Sequence, residues 1–215
     1  ASRQTRAGSL TVAARTTTAM IRIGPAGWSY KDWEGTVYPP HGARFDPLAY
    51  LATCFDTVEV NSSFYRIPPP THAKSWCHRV ESSRDFAFTT KLYRSFTHES
   101  GATDADVAAF RRYLDPFVAA GRLGALLIQF PWSFKEGGET EQRLNRLFSQ
   151  FDAYPKAVEV RHGRFQNAAF HRFLEERRVA FVNIDQPLFS NSVKPAATIT
   201  APLGYVRMHG RNYEK

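Results

Sequence analysis

Nine polar or charged residues of this chain share one setting: short strand-like segments that are apolar on the opposite parity. The segments are Thr57-Val58-Glu59-Val60-Asn61, Phe88-Thr89-Thr90-Lys91, Leu126-Leu127-Ile128-Gln129, Val158-Glu159-Val160-Arg161-His162, Val182-Asn183-Ile184-Asp185 and Val206-Arg207-Met208-His209. Side chains alternate across a strand, so the apolar parity can face covering helices while Glu59, Asn61, Gln129, Glu159, Arg161, Asn183, Asp185, Arg207 and His209 point the other way together. Such a pocket suits acid/base chemistry. Glu59 and Glu159 are the expected acid/base pair, with Lys91, Arg161 and Arg207 stabilising anionic charge and Asn61, Gln129, Asp185 and His209 orienting a ligand. The structural alternative is a buried ion-pair network, because inward charges are costly to bury without partners.

A metal site draws on the same residues, since Glu59, Glu159, Asp185, His162 and His209 are plausible oxygen and nitrogen ligands. Three inward carboxylates, however, meet Lys91, Arg161 and Arg207, and a dication entering a balanced pocket is repelled. No His-x-x-x-His or Cys-x-x-Cys spacing occurs, so neither a metal nor a cofactor is expected. His72, His78 and His171 fall on helical stretches and read as solvated.

The segments after the strands are rich in aromatics: Trp28, Tyr30 and Trp33, then Phe64 and Tyr65, Tyr93 and Phe96, and Trp132 and Phe134. Flat faces around a polar pocket suit sugars or nucleobases, with Arg66, Arg94, Arg161 or Arg211 meeting a phosphate or carboxylate. Trp28, Tyr30, Tyr65, Arg66 and His162 therefore join the expected ligand-binding set. At least half of these aromatics are expected to do no more than pack loops over the core. Gly24 and Gly27 give only a weak phosphate-nest signal. No nucleophile elbow, Walker loop or dinucleotide fingerprint is present, and Ser62 and Ser63 have no histidine assigned to them by sequence.

Composition narrows the partners. The formal charge is +8 and the pI about 9.7, which suits an anionic ligand and keeps nucleic acid as an alternative partner. Part of that excess sits in Arg3, Arg6 and Arg15, within a first 20 residues that contain no acid and lack the apolar core of a secretory signal. Residues 1–20 read as a disordered or non-native extension, and Met20 is a plausible natural start. Only Cys54 and Cys77 occur, each in a helical stretch; they read as buried small residues in a reducing compartment, and no apolar run is long enough to span a bilayer. A cytoplasmic location is expected.

Seven strands are predicted near 21–24, 56–61, 86–91, 125–130, 157–161, 180–185 and 205–209, with helical signals between most of them. Asp46-Pro47, Thr71, Thr103 and Asn167 mark helix starts and Gly121 a stop. The helix at about 104–120 carries Val107, Phe110, Leu114, Phe117 and Val118 at core spacing. β/α alternation over residues 21–215 predicts a single domain, a TIM-type barrel with seven units visible and the eighth missing at the C-terminus.

Gly24-Pro25-Ala26-Gly27-Trp28-Ser29-Tyr30, Val58-Glu59-Val60-Asn61-Ser62-Ser63-Phe64-Tyr65-Arg66, Gln129-Phe130-Pro131, Val158-Glu159-Val160-Arg161-His162 and Tyr205-Val206-Arg207-Met208-His209-Gly210-Arg211 together resemble the YecE-like family, domain of unknown function 72. The resemblance runs from about Ile21 to Arg211. It implies a TIM-type barrel and no established reaction, although family members are sometimes described as related to sugar isomerases and look similar in fold to metal-dependent barrel enzymes such as apurinic endonucleases. Pro25 and Ala26 depart from the small hydroxyl residues common there, and the family's further helix, asparagine-rich strand and last helix have no counterpart. The expected function is an enzyme acting on a small polar, anionic or sugar-like ligand by metal-independent acid/base chemistry. The alternatives are a nucleic-acid-binding or nuclease-like barrel and a non-catalytic ligand-binding barrel.

Overall fold

The computed structural model describes residues 20–40, 42, 44–99 and 101–211; the expected extension lies outside them apart from Met20. Helix α1 (Pro47–Cys54) precedes β1 (Thr57–Val60), α2 (Ser62–Tyr65) and α3 (Pro70–Arg79) precede β2 (Ala87–Lys91), and α4 (Arg94–Thr97) and α5 (Asp104–Ala119) precede β3 (Leu123–Gln129). Then come α6 (Thr140–Gln150), β4 (Lys156–Glu159), α7 (Ala168–Glu176), β5 (Ala180–Asp185) and β6 (Tyr205–Met208). The six strands pair in sequence order, all parallel.

Local chemistry explains where the helices start. The Asp46 carboxylate accepts from the amides of Leu48 and Ala49 at 3.0 and 3.1 Å ahead of Pro47. Thr103 and Asp106 close a reciprocal capping box on α5, and Asn167 accepts from the Phe170 amide at 2.9 Å. Thr71 is not a cap, because Pro70 already occupies the first helical position and needs no partner for an absent N–H. Gly121, at φ 65°, ends the α5 segment.

The core lies between the helices and the sheet's outer face. Phe88, Leu126, Ile128, Val158 and Val160 share one buried cluster with Phe110, Leu114 and Phe117 of α5, which are fully enclosed; the Phe88 and Phe117 rings lie 5.0 Å apart. Val118, expected in that stripe, is exposed instead. Cys54 is exposed as well, whereas Cys77 is half-buried.

Two features define the sheet. Strands spaced about 4.8 Å apart would put β1 and β6 roughly 24 Å from one another in a flat sheet. Yet Arg207 on β6 hydrogen-bonds Glu59 on β1 at 2.7 Å, so the sheet is curled into a half-barrel. The seventh expected strand, at 21–24, is not one. Residues 21–27 run beside β1 through Asp56 N to Ile23 O at 3.0 Å, Glu59 N to Pro25 O at 3.0 Å and Gly27 N to Glu59 O at 2.8 Å. Pro25 has no N–H for the ladder, and at Gly24 the backbone comes so close that an added Cβ would sit 1.7 Å from the Thr57 carbonyl oxygen.

Candidate functional site

The strands bring a set of polar side chains to the concave face. The register pairs Glu59 with Thr89, Gln129 with Glu159, and Ile184 with Arg207. Partners in a parallel ladder share a face, which places Glu59, Thr89, Lys91, Gln129 and Glu159 together and Tyr205 and Arg207 beside them.

Arg207 is the hub. Its Nε and Nη2 donate to Glu59 Oε2 and Oε1 at 3.0 and 2.7 Å, and its Nη1 donates to Glu159 Oε2 at 2.5 Å. Arg161 holds the other Glu159 oxygen, with Nε at 3.1 Å and Nη2 at 2.9 Å, and reaches Gln186 Oε1 at 3.5 Å. His209 Nε2 lies 3.3 Å from Arg207 Nη1 and 3.6 Å from Glu159 Oε1. A guanidinium only donates, so a neutral His209 presents its Nε2 lone pair to Arg207; once protonated, the same nitrogen has the Glu159 carboxylate beside it. Tyr205, which the sequence reading passed over, donates its hydroxyl to Glu59 Oε2 at 2.9 Å and lies 2.9 Å from Thr89 Oγ1.

The electrostatics follow from these pairings. Burial opposes ionisation of Glu159, but His209, Arg207 and Arg161 outweigh it and hold the carboxyl at about 2. The three partners thus favour the ionised form of Glu159. Burial would weaken Arg207, yet Glu159 and Glu59 raise its pKa further above the ordinary value. The Tyr205 phenol is pushed well up by burial and by Glu59.

Lys91 differs from its neighbours. Its ammonium sits 4.0 Å from the Phe64 ring centroid, with no hydrogen bond or ion pair from its side chain among the described residues. Burial, then the positive charge of Arg207, lowers its pKa. With two carboxylates against Lys91, Arg161 and Arg207, the cluster carries an excess of one positive charge.

The structure does not gather every expected residue here. Val182 pairs with Tyr205 and Ile184 with Arg207, so Asn183 and Asp185 occupy the opposite face of β5. Asn183 clamps the chain at Thr198, donating to its carbonyl at 2.8 Å and accepting from its amide at 2.9 Å, and Asp185 pairs with Arg211 at 2.8 Å. His162 follows Arg161 and points away from it, packing against Trp132 with centroids 5.2 Å apart. Asn61 precedes α2 without capping it, and Gln129 is half-buried at the end of β3. Among the five proposed metal ligands only Glu59, Glu159 and His209 therefore share a face, and guanidinium donors occupy their carboxylate oxygens.

The aromatic rim divides. Trp28 packs edge-on against Trp76 at 5.2 Å, Tyr30 bonds the Ala26 carbonyl and packs at a tilt against Trp33, and Phe134 stacks on Phe130 at 3.9 Å. Tyr93 and Phe96 pack into the core. Phe64 faces Lys91 and His98, whereas Tyr65 and Arg66 are exposed. His171, expected to be solvated, instead packs 5.1 Å from Phe181, with its Nε2 buried and without a partner.

Comparison with known proteins agrees with the fold. The family model described as "Protein of unknown function DUF72" matches residues 22–215. The chain belongs to the DUF72 family. UPF0759 protein YunF of Bacillus subtilis is 28% identical over 205 residues, covering 90% of this chain and 71% of YunF. UPF0759 protein YecE of Escherichia coli K12 is 29% identical over 177 residues, covering 77% of this chain and 59% of YecE. A DUF72 protein of Thermotoga maritima, known from a crystal structure, is 30% identical with a TM-score of 0.77 and covers 91% of this chain and 76% of its own. Among the described residues of this DUF72 chain, no helix is long and apolar enough to cross a membrane.

Proposed function

We propose that the concave site binds a small anionic, sugar-like ligand and acts on it by metal-independent acid/base chemistry. One observation carries this reading: Lys91 is a desolvated cation without a counter-ion, in a cluster whose carboxylates are already committed to Arg207 and Arg161. A ligand carboxylate entering the pocket would complete the charge balance, meeting Lys91 beside the Glu159-paired Arg161. Phe64, beneath the ammonium, offers an apolar face to a sugar carbon chain.

Glu59 and Glu159 stand in this reading as the groups that fix Arg207 and Arg161, not as the acid and base themselves, because an ionised Glu159 of such low proton affinity transfers protons poorly at neutral pH. His209 and Lys91 take over proton movement. His209 Nε2 can accept a proton and hand the new N–H to Glu159, and Lys91, with its lowered pKa, can protonate or deprotonate an adjacent oxygen. The same reading treats the curled sheet as part of a TIM-type barrel, whose reactive residues gather at C-terminal strand ends.

The test is hydrogen exchange. Glucuronate and galacturonate incubated with the protein in D2O are expected to lose the proton signal at the carbon beside the carbonyl, followed by proton NMR. That loss should disappear in His209→Ala and in Lys91→Met. Undiminished exchange in both variants, or none with the unaltered protein, contradicts the catalytic half of the proposal.

A further inference from the structure

We propose a second anion site, separate from the central cluster, in the cleft between residues 162–166 and residues 190–194, taking the phosphate group of a small ligand. The cavity there measures about 650 Å³. Lys135, Arg164 and Lys194 contribute charge to its lining, Ser190 and Asn191 contribute neutral donors, and no carboxylate lines it. Its size lies within the range of small-molecule pockets.

The walls are fixed rather than draped. Gly163 N donates to Asn191 O at 2.7 Å and Val193 N to Arg161 O at 3.0 Å, tying the two segments together. The Gln166 amide closes a two-way bond with the Lys194 backbone, donating and accepting at 2.9 Å each. A Cβ at Gly163 would lie 3.1 Å from Ser192 O and 3.2 Å from Asn191 O, so the two segments approach closely there. His162, 8% exposed, braces one wall through Trp132 and accepts from Arg164 N at 3.3 Å.

The cations of this cleft are unlike the chain's other clustered arginines. Arg79, Arg94 and Arg177 each pair with a carboxylate, as do Arg161 and Arg207. None of Lys135, Arg164 and Lys194 has a side-chain hydrogen bond or ion pair among the described residues. Three exposed cations line one cavity without a carboxylate among them, and a dianion with several acceptor oxygens can meet them while using the Ser190 hydroxyl and the Asn191 amide. Arg161 and His162, adjacent in sequence, point into the central cluster and this cleft respectively.

Titration of the whole chain with inorganic phosphate, followed by calorimetry and by amide chemical shifts, tests the site without requiring any turnover. Saturable binding at one site per chain is expected, with shifts concentrated at 162–166 and 190–194. The double variant Arg164→Glu, Lys194→Glu should weaken binding at least tenfold, and Lys135→Ala, on an exposed side chain, at least threefold. A control of equal charge change, Lys74→Glu with Arg112→Glu, should leave binding unchanged. No saturation, shifts elsewhere, or an equal loss in the control overturns the proposal. A 12-nucleotide single strand distinguishes the source of the phosphate: each phosphate engaged adds about 0.7 to the slope of log affinity against log salt. A slope near one or below fits a single phosphate group, whereas a steep slope with shifts spreading beyond the cleft replaces the small ligand with nucleic acid and overturns the proposal.

Discussion

Arg207 on β6 grips Glu59 on β1 through two parallel bonds, at 3.0 and 2.7 Å, joining the first and last strands of the sheet across its concave face. The same guanidinium reaches Glu159 on β4, so a single side chain ties three strands and neutralises charge that burial would otherwise make untenable. The pocket's electrostatics and the curl of the sheet thus share one residue.

Arg207→Met should accordingly be severe. It leaves Glu59 and Glu159 buried with their main partner gone, and breaking a buried pair in this way costs about 3–5 kcal/mol. Urea unfolding should show a lower midpoint by a corresponding amount, and a variant within about 1 kcal/mol of the parent would mean the cluster is far more hydrated than its geometry implies.

Lys91→Met should behave in the opposite way. The lowered pKa of Lys91 means that folding disfavours its charged form, so removing the charge is expected to leave stability equal or raised while ligand affinity falls. Thermal unfolding and binding measured on the same variant check this. Loss of stability would make Lys91 a structural residue.

Acid should weaken the fold through Glu159. Its folded pKa of about 2 lies below the unfolded value of about 4.3, so its contribution is complete above the unfolded value and disappears as pH falls toward 2. The contribution is of the order of 3 kcal/mol. Unfolding free energies measured from pH 6 to pH 2 should fall through that window, and Glu159→Gln should flatten the fall.

Gly24→Ala tests the edge of the sheet. The added Cβ would meet the Thr57 carbonyl oxygen at 1.7 Å, backbone against backbone, so residues 21–27 must shift away from β1. A cost of about 1–3 kcal/mol is expected by analogy with overpacked interiors. An unchanged melting temperature would show that this segment is not held against β1 in solution.

Much of this arrangement is legible in the sequence because period-two patterning locates the strands and the apolar parity of β1 and β4 points Glu59 and Glu159 inward. The same logic misleads at β5. There Val182 and Ile184 face the concave side, while Asn183 is satisfied on the other face by the Thr198 backbone, and an alternating pattern cannot tell which parity is inward when both are buried. Tyr205 shares Arg207's parity and was open to the same reading, but a phenol between Gly204 and Val206 carries no charge to draw notice. Residues 21–24 look like a strand by composition, and the consequence of Pro25 for the ladder appears only when β1 is laid beside it. The cleft at 162–166 and 190–194 leaves no sequence signal, because loops separated by some 25 residues build it together.

The central claim is that Lys91 awaits an anion. Calorimetric titration of the unaltered protein and of Lys91→Met with glucuronate, and with uncharged glucose as control, tests it most directly. Saturable binding of glucuronate by the unaltered protein, lost in Lys91→Met and not seen with glucose, is the predicted result. Equal glucuronate affinity in the two proteins would contradict it.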